Sequence, residues 1–234
     1  LLSGAATHGV MALENTIAGS IIPNYALIDT NDLHIVGEEY LNIHHHLMAL
    51  PGQQIAHIKE VWSHPMALLQ CKEFFKKHPH IKLVEDVDTA EVAKRISKEN
   101  LAGIAAIAPK IAAEIFDLEV LEDEIQTMKD NATRFVIVQT QEPTHGSDHV
   151  NKASLKFQLN HKRGSLAAIL NVLSDCKMNL TKIQSLPVIE MPWKYSFFVD
   201  VTFEDYKDYL KLVKIIEIMA EEFKILGTYK NGRK

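Results

Sequence analysis

Apolar residues occur along this chain in short runs separated by polar turns, and their spacing predicts alternating strands and helices. Runs of strand character lie at residues 8–13, 33–40, 41–50, 58–62, 81–84, 101–108, 119–121 and 133–139. Helices are predicted at residues 17–27, with breaks at Gly19 and Pro23, and also from residue 65 onward, at 89–98 and at 109–116. The helix from residue 65 has its apolar face at Leu68, Cys71 and Phe75. This alternation favours an α/β fold with a largely parallel sheet.

A second unit follows the polar segment 140–151, which contains Pro143 and Gly146 and is typical of a linker. Its predicted elements lie at residues 153–160, 164–176, 179–185, 195–203, 205–220 and 223–229. Their β-α-β-β-α-β order is that of a ferredoxin-like fold. We therefore expect a first domain at 1–140, a linker at 141–151 and a second domain at 152–234. The edge strands of the second sheet favour pairing with another copy of the chain.

Charge changes the picture at the same boundary. The chain has 234 residues and a net charge of −5. Residues 1–150 carry 11 basic and 21 acidic side chains, whereas residues 151–234 carry 14 basic and 9 acidic ones. Because no basic cluster is interleaved with aromatic residues, nucleic-acid binding is not expected. No run of about 18 apolar residues is present, so no membrane span is predicted.

Two cysteines, Cys71 and Cys176, lie far apart on apolar helix faces. We interpret them as buried thiols of a protein in a reducing compartment, and we expect a cytoplasmic location. No signal peptide is evident. Because Leu1 is not an initiator methionine, we expect that the sequence begins within a longer chain.

The candidate chemistry centres on residues 131–135, where Thr133, Arg134 and Phe135 stand side by side at the start of an apolar strand. An acidic run at residues 119–130 precedes them, and Arg95 is the only other arginine before residue 139. Arg95 lies in a helix of solvated character, so Arg134 is the arginine expected to be placed for a ligand. The alternative is an ordinary strand start with a surface arginine.

Two further groups of residues are candidates, and each has a plainer alternative. Asn15 or Thr16 is suited to cap the helix predicted at 17–27, whose N-terminus near Gly19 and Ser20 would also attract an anion. Gln70 lies off the apolar stripe of its helix and would face either a cleft or solvent.

The histidines at residues 44–46 suggest a zinc site. Residues in a strand point to alternate faces, so at most His44 and His46 converge. No third ligand stands at a suitable spacing, and no metal is expected.

Four short segments in this order resemble prephenate dehydratase with a C-terminal ACT regulatory domain, over nearly the whole chain. Residues 9–16 with Gly19 and Ser20 resemble the family's Glu-Asn-Ser/Thr motif, and residues 63–65 with 70–71 resemble its Ser-His-Pro and Gln-Cys pair. Residues 131–135 resemble the Asn-x-Thr-Arg-Phe signature, and residues 164–166 and 179–187 resemble the ACT effector motifs.

The resemblance implies a two-lobed catalytic domain like the type II periplasmic binding proteins, followed by the ferredoxin-like ACT domain. It implies that prephenate loses carbon dioxide and water to give phenylpyruvate, without cofactor or metal. Thr133, Asn15 and Gln70 would be catalytic, with Thr133 donating a hydrogen bond to the leaving hydroxyl. The substrate would contact Arg134, Phe135, Thr16, Gly19, Ser20, Ser63 and His64. Arg134 would anchor a carboxylate or, equally well, support the Thr133 segment.

The tail implies feedback by L-phenylalanine at a subunit interface in a homodimer or homotetramer. Effector binding would involve Gly164, Ser165, Leu166, Asn179, Leu180, Gln184, Ser185 and Leu186. Leu166 and Leu186 are expected to line the pocket.

Three departures from the family are visible, one of which is that Met66 and Pro109 stand where the family usually has polar residues. The family's first strand and glycine-rich loop are absent from this sequence, and its Glu-Ser-Arg-Pro reads Gln184-Ser185-Leu186-Pro187 here. Losing that glutamate and arginine removes an ionic pair from the effector motif. The alternatives are an arogenate dehydratase and a non-catalytic small-ligand sensor with an ACT dimerisation tail.

Overall fold

The computed structural model describes residues 1–142, 150–160, 162–188, 191 and 193–233. Most of the predicted linker, at residues 143–149, lies outside these described residues. By their contacts the residues form two compact units. The first unit comprises Leu1–Asn15, Gly19–Leu41 and Thr133–Lys234, and the second comprises Thr16–Ala18 and Asn42–Ala132. The predicted domain limits at residues 140 and 151 stay a prediction.

The described chain contains thirteen strands and seven α-helices. The strands are β1 Gly9–Asn15, β2 Gly19–Ser20, β3 His34–Asn42, β4 His46–Ala49, β5 Glu60–Ser63, β6 Lys82–Glu85, β7 Ile104–Ala108, β8 Glu119–Glu122, β9 Ala132–Gln139, β10 Lys152–Gln158, β11 Asn179–Pro187, β12 Tyr195–Thr202 and β13 Glu222–Tyr229. The helices are α1 Ile22–Thr30, α2 Pro65–Gln70, α3 Lys72–Phe75, α4 Thr89–Glu99, α5 Lys110–Ile115, α6 Ser165–Asp175 and α7 Tyr206–Met219. In the part of the chain described, no helix is long and apolar enough to cross a membrane.

The first unit holds two four-stranded sheets. One has the order β2-β1-β9-β3, with β1 antiparallel to both of its neighbours. The other has the order β11-β12-β10-β13 with antiparallel pairs, and helices α6 and α7 pack on one of its faces. This is the β-α-β-β-α-β order that the hydrophobic pattern predicts. A second apolar cluster includes Leu13 and Ile35 together with Phe198 and Leu226, so residues from both ends of the chain share one core.

The second unit is built on a five-stranded sheet of order β6-β5-β7-β4-β8. Apolar side chains alternate between its two faces: Leu47 and Ile107 pack towards α2 and α3, whereas Met48 and Ala106 pack towards α4 and α5. The predicted apolar face at Leu68, Cys71 and Phe75 is buried as expected. Both thiols, Cys71 and Cys176, are also buried.

The expectation of a largely parallel sheet is wrong. Strand β5 is parallel to β6 and β7, but β4 is antiparallel to β7 and to β8. Parallel neighbours require a crossover connection, and only β5, β6 and β7 are joined in sequence by α2, α3 and α4. No helix lies between β3 and β4, so the alternation of strands and helices that predicts a parallel sheet does not extend to β4.

The helix predicted at residues 17–27 begins later than expected. Gly19 and Ser20 instead form strand β2, which pairs with Glu14 and Asn15 of β1. Gly19 has φ +83°, a conformation that suits the tight turn between the two strands. Helix α1 starts at Ile22, with Pro23 in its first turn, where a missing N–H does no harm. The proline marks the helix start, not a break within the helix.

Candidate active site

Asn15 and Thr133 face each other at the ends of β1 and β9. The Asn15 side-chain amide donates to the Thr133 hydroxyl over 3.0 Å. Neither residue is fully buried. A hydroxyl that already accepts a hydrogen bond keeps its own proton for another partner, and no described residue accepts the proton of Thr133. The arrangement therefore presents Thr133 as a hydrogen-bond donor.

Strand geometry separates Thr133 from Arg134. Side chains alternate along β9, where Arg134, Val136 and Val138 are buried while Thr133 and Phe135 are partly exposed. Phe135 consequently lies on the same side of the strand as Thr133. A ligand that contacts the Thr133 hydroxyl lies on the opposite side of the strand from the Arg134 guanidinium.

The Arg134 side chain is 2% exposed and is surrounded by protein groups of the first unit. Its guanidinium donates to Glu38 at 2.6 Å, to Asp200 at 2.5 Å and to the Tyr229 hydroxyl at 2.8 Å. Lys152 donates to both oxygens of Glu38, at 2.9 and 2.8 Å. Two cations thus face two carboxylates, and the buried group carries no net charge.

The same neighbours set the acid–base properties of this group. Burial alone would lower the pKa of Arg134, but Asp200, Tyr229 and Glu38 hold it above its ordinary value. Burial, with the nearby Arg134, lowers the pKa of Lys152 although Glu38 opposes the shift. Burial also raises the pKa of Tyr229, so its phenol stays neutral and accepts from Arg134.

The helix N-terminus expected beside Gly19 and Ser20 lies after them, at Ile22, and these two residues form strand β2, so their role in binding an anion stays a prediction. The Ser20 hydroxyl accepts from Lys182 at 2.7 Å, and Lys182 also pairs with Glu14 at 2.6 Å. Thr16 caps no helix. Its hydroxyl accepts from the Ala132 backbone N–H at 3.0 Å.

Gln70 ends helix α2 in the second unit and its side chain belongs to a polar cluster. Its amide oxygen lies 2.8 Å from Nε2 of His45 and accepts from the Asn131 side chain at 3.0 Å. His45 is 6% exposed, and the Gln126 side chain accepts from its backbone N–H at 2.9 Å. We name His45, Gln70, Gln126 and Asn131 the amide cluster. Burial lowers the pKa of His45 and keeps its ring neutral.

Ser63 and His64 lie at the start of α2. Ser63 is fully buried and donates to the backbone carbonyl of Ile107 at 2.8 Å, so its hydroxyl serves the interior of the second unit. His64 is exposed and caps the helix by accepting from the Met66 N–H.

The three histidines at residues 44–46 differ in burial: His45 and His46 are each 6% exposed, whereas His44 is half-buried. His46 contacts Asp123 at 2.9 Å and His44 contacts Glu124 at 3.3 Å. Within the described ranges, no group of three or more histidine, cysteine or acidic residues is placed to hold a metal ion.

The residues expected to bind an effector fall at two places in the first unit. Gly164, with φ +84°, precedes α6, and Ser165 and Leu166 line a cavity of about 120 Å³ together with the aromatic residues Trp193 and Tyr195. The others lie on the edge strand β11: Asn179, Leu180, Gln184, Ser185 and Leu186.

An irregularity in β11 between Leu180 and Lys182 reverses which face the side chains take. Leu186 therefore packs with Phe198 in the core near β1, whereas Leu166 packs on the helix side of the sheet. Within one chain, Leu166 and Leu186 do not line the same pocket.

Sequence reasoning missed the partners that surround the site residues. His45 stands in the sequence as the middle one of three histidines, and no local pattern there indicates its contact with Gln70. Glu38, Lys152 and Asp200 are charged residues inside apolar strands, and such residues are seldom buried without partners. That signal was present, but the pairing requires the tertiary fold.

Comparison with known proteins gives the chain's relationships. The sequence model of the family "Prephenate dehydratase" matches residues 1–143. Arogenate dehydratase/prephenate dehydratase 2, chloroplastic, of Arabidopsis thaliana is 38% identical over 215 residues, which are 92% of this chain and 55% of that protein. The chain spans somewhat more than half the length of the first curated relatives that it matches.

Two solved structures are similar over most of the chain. A prephenate dehydratase from Arthrobacter aurescens in complex with L-Phe has a TM-score of 0.86 and 25% identity, covering 98% of this chain and 77% of that one. A structure described as GqqA, a novel type of quorum quenching acylase, has a TM-score of 0.87 and 26% identity, covering 97% and 83%.

Proposed function

The chain belongs to the prephenate dehydratase family, and we propose that it converts prephenate to phenylpyruvate, carbon dioxide and water in L-phenylalanine biosynthesis. The observation that carries this proposal is the Thr133 hydroxyl, which accepts from Asn15 at 3.0 Å and keeps its proton for a ligand.

The reaction needs a hydrogen-bond donor at the leaving oxygen. The bond from the ring to its carboxylate breaks, and that electron pair moves into the ring as carbon dioxide leaves. The bond from the ring to its hydroxyl then breaks, and hydroxide takes up a proton to leave as water. Thr133 stabilises the charge that develops on this oxygen, and solvent supplies the proton in the net reaction. Asn15 holds the Thr133 hydroxyl in the orientation that donates.

The other residues of the resemblance receive roles that follow their placement. Arg134 supports the Thr133 segment and does not bind substrate, because its side chain is 2% exposed and donates to Glu38, Asp200 and Tyr229. Gln70 presents its amide to an oxygen of the substrate, and Phe135, on the Thr133 side of β9, packs against the ring.

Replacing Thr133 by Val tests the proposal, since valine keeps the shape and removes the hydroxyl. We expect kcat with prephenate to fall by about 10²- to 10³-fold, the usual effect of losing one preorganised donor. Thr140→Val is the matched control, because Thr140 is exposed just beyond β9, and it should retain wild-type turnover. Near-normal turnover of Thr133→Val would contradict the role.

The same assay decides the substrate. Arogenate carries an amino group where prephenate carries a keto oxygen, and the name of the Arabidopsis relative includes both activities. The wild-type chain is incubated with each compound and the aromatic product is measured. Faster turnover of arogenate would replace the proposed substrate, and turnover of neither would favour the non-catalytic ligand sensor.

We also propose that the C-terminal β-α-β-β-α-β unit is an ACT domain through which L-phenylalanine inhibits a homodimer or homotetramer. The Arthrobacter aurescens structure in complex with L-Phe supports this assignment. Two contacts inside the first unit would carry the effect: Lys182 of β11 pairs with Glu14, and Asp200 of β12 pairs with Arg134. Glu14 and Arg134 are the immediate sequence neighbours of Asn15 and Thr133.

A further inference from the structure

The Gln70 side-chain oxygen is occupied by two groups of the protein. Nε2 of His45 lies 2.8 Å from it and Nδ2 of Asn131 donates to it at 3.0 Å. We propose that His45, with Asn131, is a positioning residue that fixes the Gln70 amide so that its NH₂ group faces the substrate. This inference rests on the proposed dehydratase function, which gives Gln70 a substrate to meet.

The tautomer of His45 follows from its surroundings. An amide oxygen accepts and never donates, so Nε2 must carry the ring proton to make the 2.8 Å contact. Nδ1 is then an acceptor, and it is buried with no hydrogen-bond partner in the described structure. A buried acceptor without a partner is tolerable for a neutral ring, whereas a second N–H there would be charged and unpaired.

His45 is itself held in place from both sides. Its backbone N–H donates to the Gln126 side chain at 2.9 Å, and its carbonyl accepts from Ile125 at 2.8 Å. The next residue of that segment, Thr127, donates its backbone N–H to the Gln70 carbonyl at 2.9 Å. One stretch of three residues therefore fixes both the histidine and the helix end that carries Gln70.

A purely structural role explains His45 poorly. A histidine that serves only packing satisfies both ring nitrogens or leaves one of them in water, and here one nitrogen is buried and unpaired. Leucine would fill the same space without that penalty. The feature that leucine cannot supply is the donor at Nε2, and its acceptor is Gln70.

The two donors on the Gln70 oxygen, from His45 and Asn131, determine which end of the Gln70 amide faces the substrate. Turning the amide by half a rotation would bring its NH₂ group against two N–H groups and lose both hydrogen bonds. The held orientation offers N–H donors, so the substrate atom that meets Gln70 is an acceptor, either a carboxylate or a hydroxyl oxygen.

Steady-state kinetics of His45 variants test this role. We expect His45→Leu to lower kcat with prephenate by roughly 10- to 100-fold, because the Gln70 amide is then no longer held in the orientation that contacts the substrate. His45→Gln, whose Nε2 occupies the place of the imidazole Nε2, should recover most of the activity. His45→Asn places its nitrogen near Nδ1 instead and should not. In a Gln70→Leu background, removing His45 should lower kcat no further.

Stability separates positioning from packing. His45→Leu should keep the wild-type urea midpoint, since it also removes an unpaired buried nitrogen. Equal losses of activity and of stability in His45→Leu and His45→Gln would overturn the inference, as would full additivity with Gln70→Leu.

Nuclear magnetic resonance of the full chain without substrate provides a readout independent of turnover. The ¹⁵N shifts of His45 should show a protonated Nε2 and a bare Nδ1, and His45→Leu should move the Gln70 side-chain NH₂ resonances. A proton on Nδ1, or Gln70 side-chain NH₂ resonances that stay unchanged in His45→Leu, would overturn the inference whichever substrate is used. An inactive wild-type chain with the expected spectra would refute the dehydratase proposal and leave the held orientation of Gln70 established.

Discussion

At the scale of single residues, adjacent positions on β9 have opposite environments. Thr133 is partly exposed and bonded to one amide, while Arg134 is enclosed by Glu38, Asp200 and Tyr229. Removing one member of a buried ionic group usually costs more than the group contributes, because an unpaired charge stays behind. Arg134 is therefore expected to matter for stability first and for turnover through Thr133.

Arg134→Lys tests this assignment. A lysine ammonium cannot reach three partners that a planar guanidinium reaches together, so two hydrogen bonds to charged or buried groups are lost. We expect the free energy of unfolding to fall by about 3 kcal/mol or more in urea titrations. At a temperature where the variant is folded, KM for prephenate should stay within about threefold of wild type, a difference well under 1.4 kcal/mol.

Arg95→Lys is the control, since Arg95 is one-third exposed in the second unit, pairs with Asp86 and lies over Trp62. It should change stability by about 1 kcal/mol or less. A tenfold or larger rise in KM for Arg134→Lys, with little change in stability, would return Arg134 to the substrate.

The sequence indicated this site in part. Period-two alternation is local, so the exposure of Thr133 and the burial of Arg134 could have been predicted from their neighbours Val136 and Val138. The partners of Arg134 could not, because Glu38 and Asp200 are 96 and 66 residues away in the sequence. Pairing across such distances depends on the tertiary fold.

At the scale of elements, β13 approaches β3 so closely that only glycine fits at one contact. A Cβ built on Gly227 would lie 2.0 Å from the backbone oxygen of Ile35 and 2.8 Å from its carbonyl carbon. The opposing atoms are backbone, so they cannot move aside as a side chain can. Next to Gly227, Leu226 is buried in the cluster that contains Ile35 and Leu13.

Gly227→Ala should therefore separate these two strands. We expect a loss of about 3 kcal/mol or more in the free energy of unfolding, the upper range for overpacking against rigid atoms. Gly37→Ala is the matched control on β3, because its Cβ would meet Ile137 at an ordinary 3.4 Å. It should stay within about 0.5 kcal/mol of wild type. Equal midpoints for the two variants in urea would show that β13 and β3 are not in this contact in solution.

The hydrophobic pattern predicts which strands and helices exist, but it does not predict several of their boundaries. The strand at residues 8–13 and the helix from residue 65 appear near their expected places as β1 and α2. The helix expected at 17–27 starts at Ile22 instead, because Gly19 and Pro23 are not breaks inside one element. Physically, they are the turn of a two-strand pair and the first turn of a later helix.

At the scale of the whole molecule, the first unit is assembled from both ends of the sequence. Its core joins Leu13 of β1 to Phe198 of β12, and its polar contacts join Glu14 to Lys182. Lys182 lies on β11, the strand that carries the proposed effector motif, and its side chain is only 12% exposed. A displacement of β11 on effector binding would therefore act on β1 beside Asn15.

Lys182→Met tests whether this contact couples the two proposed sites. Calorimetry of the wild-type chain should show L-phenylalanine binding, and the ligand should inhibit turnover of prephenate. Allosteric coupling between sites typically changes affinity by about 5- to 150-fold, corresponding to about 1–3 kcal/mol. We expect Lys182→Met to bind L-phenylalanine within about threefold of wild type while the inhibition weakens at least fivefold, because methionine keeps the length of the side chain and removes the pair with Glu14.

Lys224→Met is the control, since Lys224 also joins the C-terminal sheet to the N-terminal part of the first unit, through Asp32, but from β13. It should leave both binding and inhibition unchanged. Inhibition that survives in Lys182→Met would assign the coupling to another contact, and a wild-type chain that gives no heat with L-phenylalanine would remove the regulatory proposal altogether.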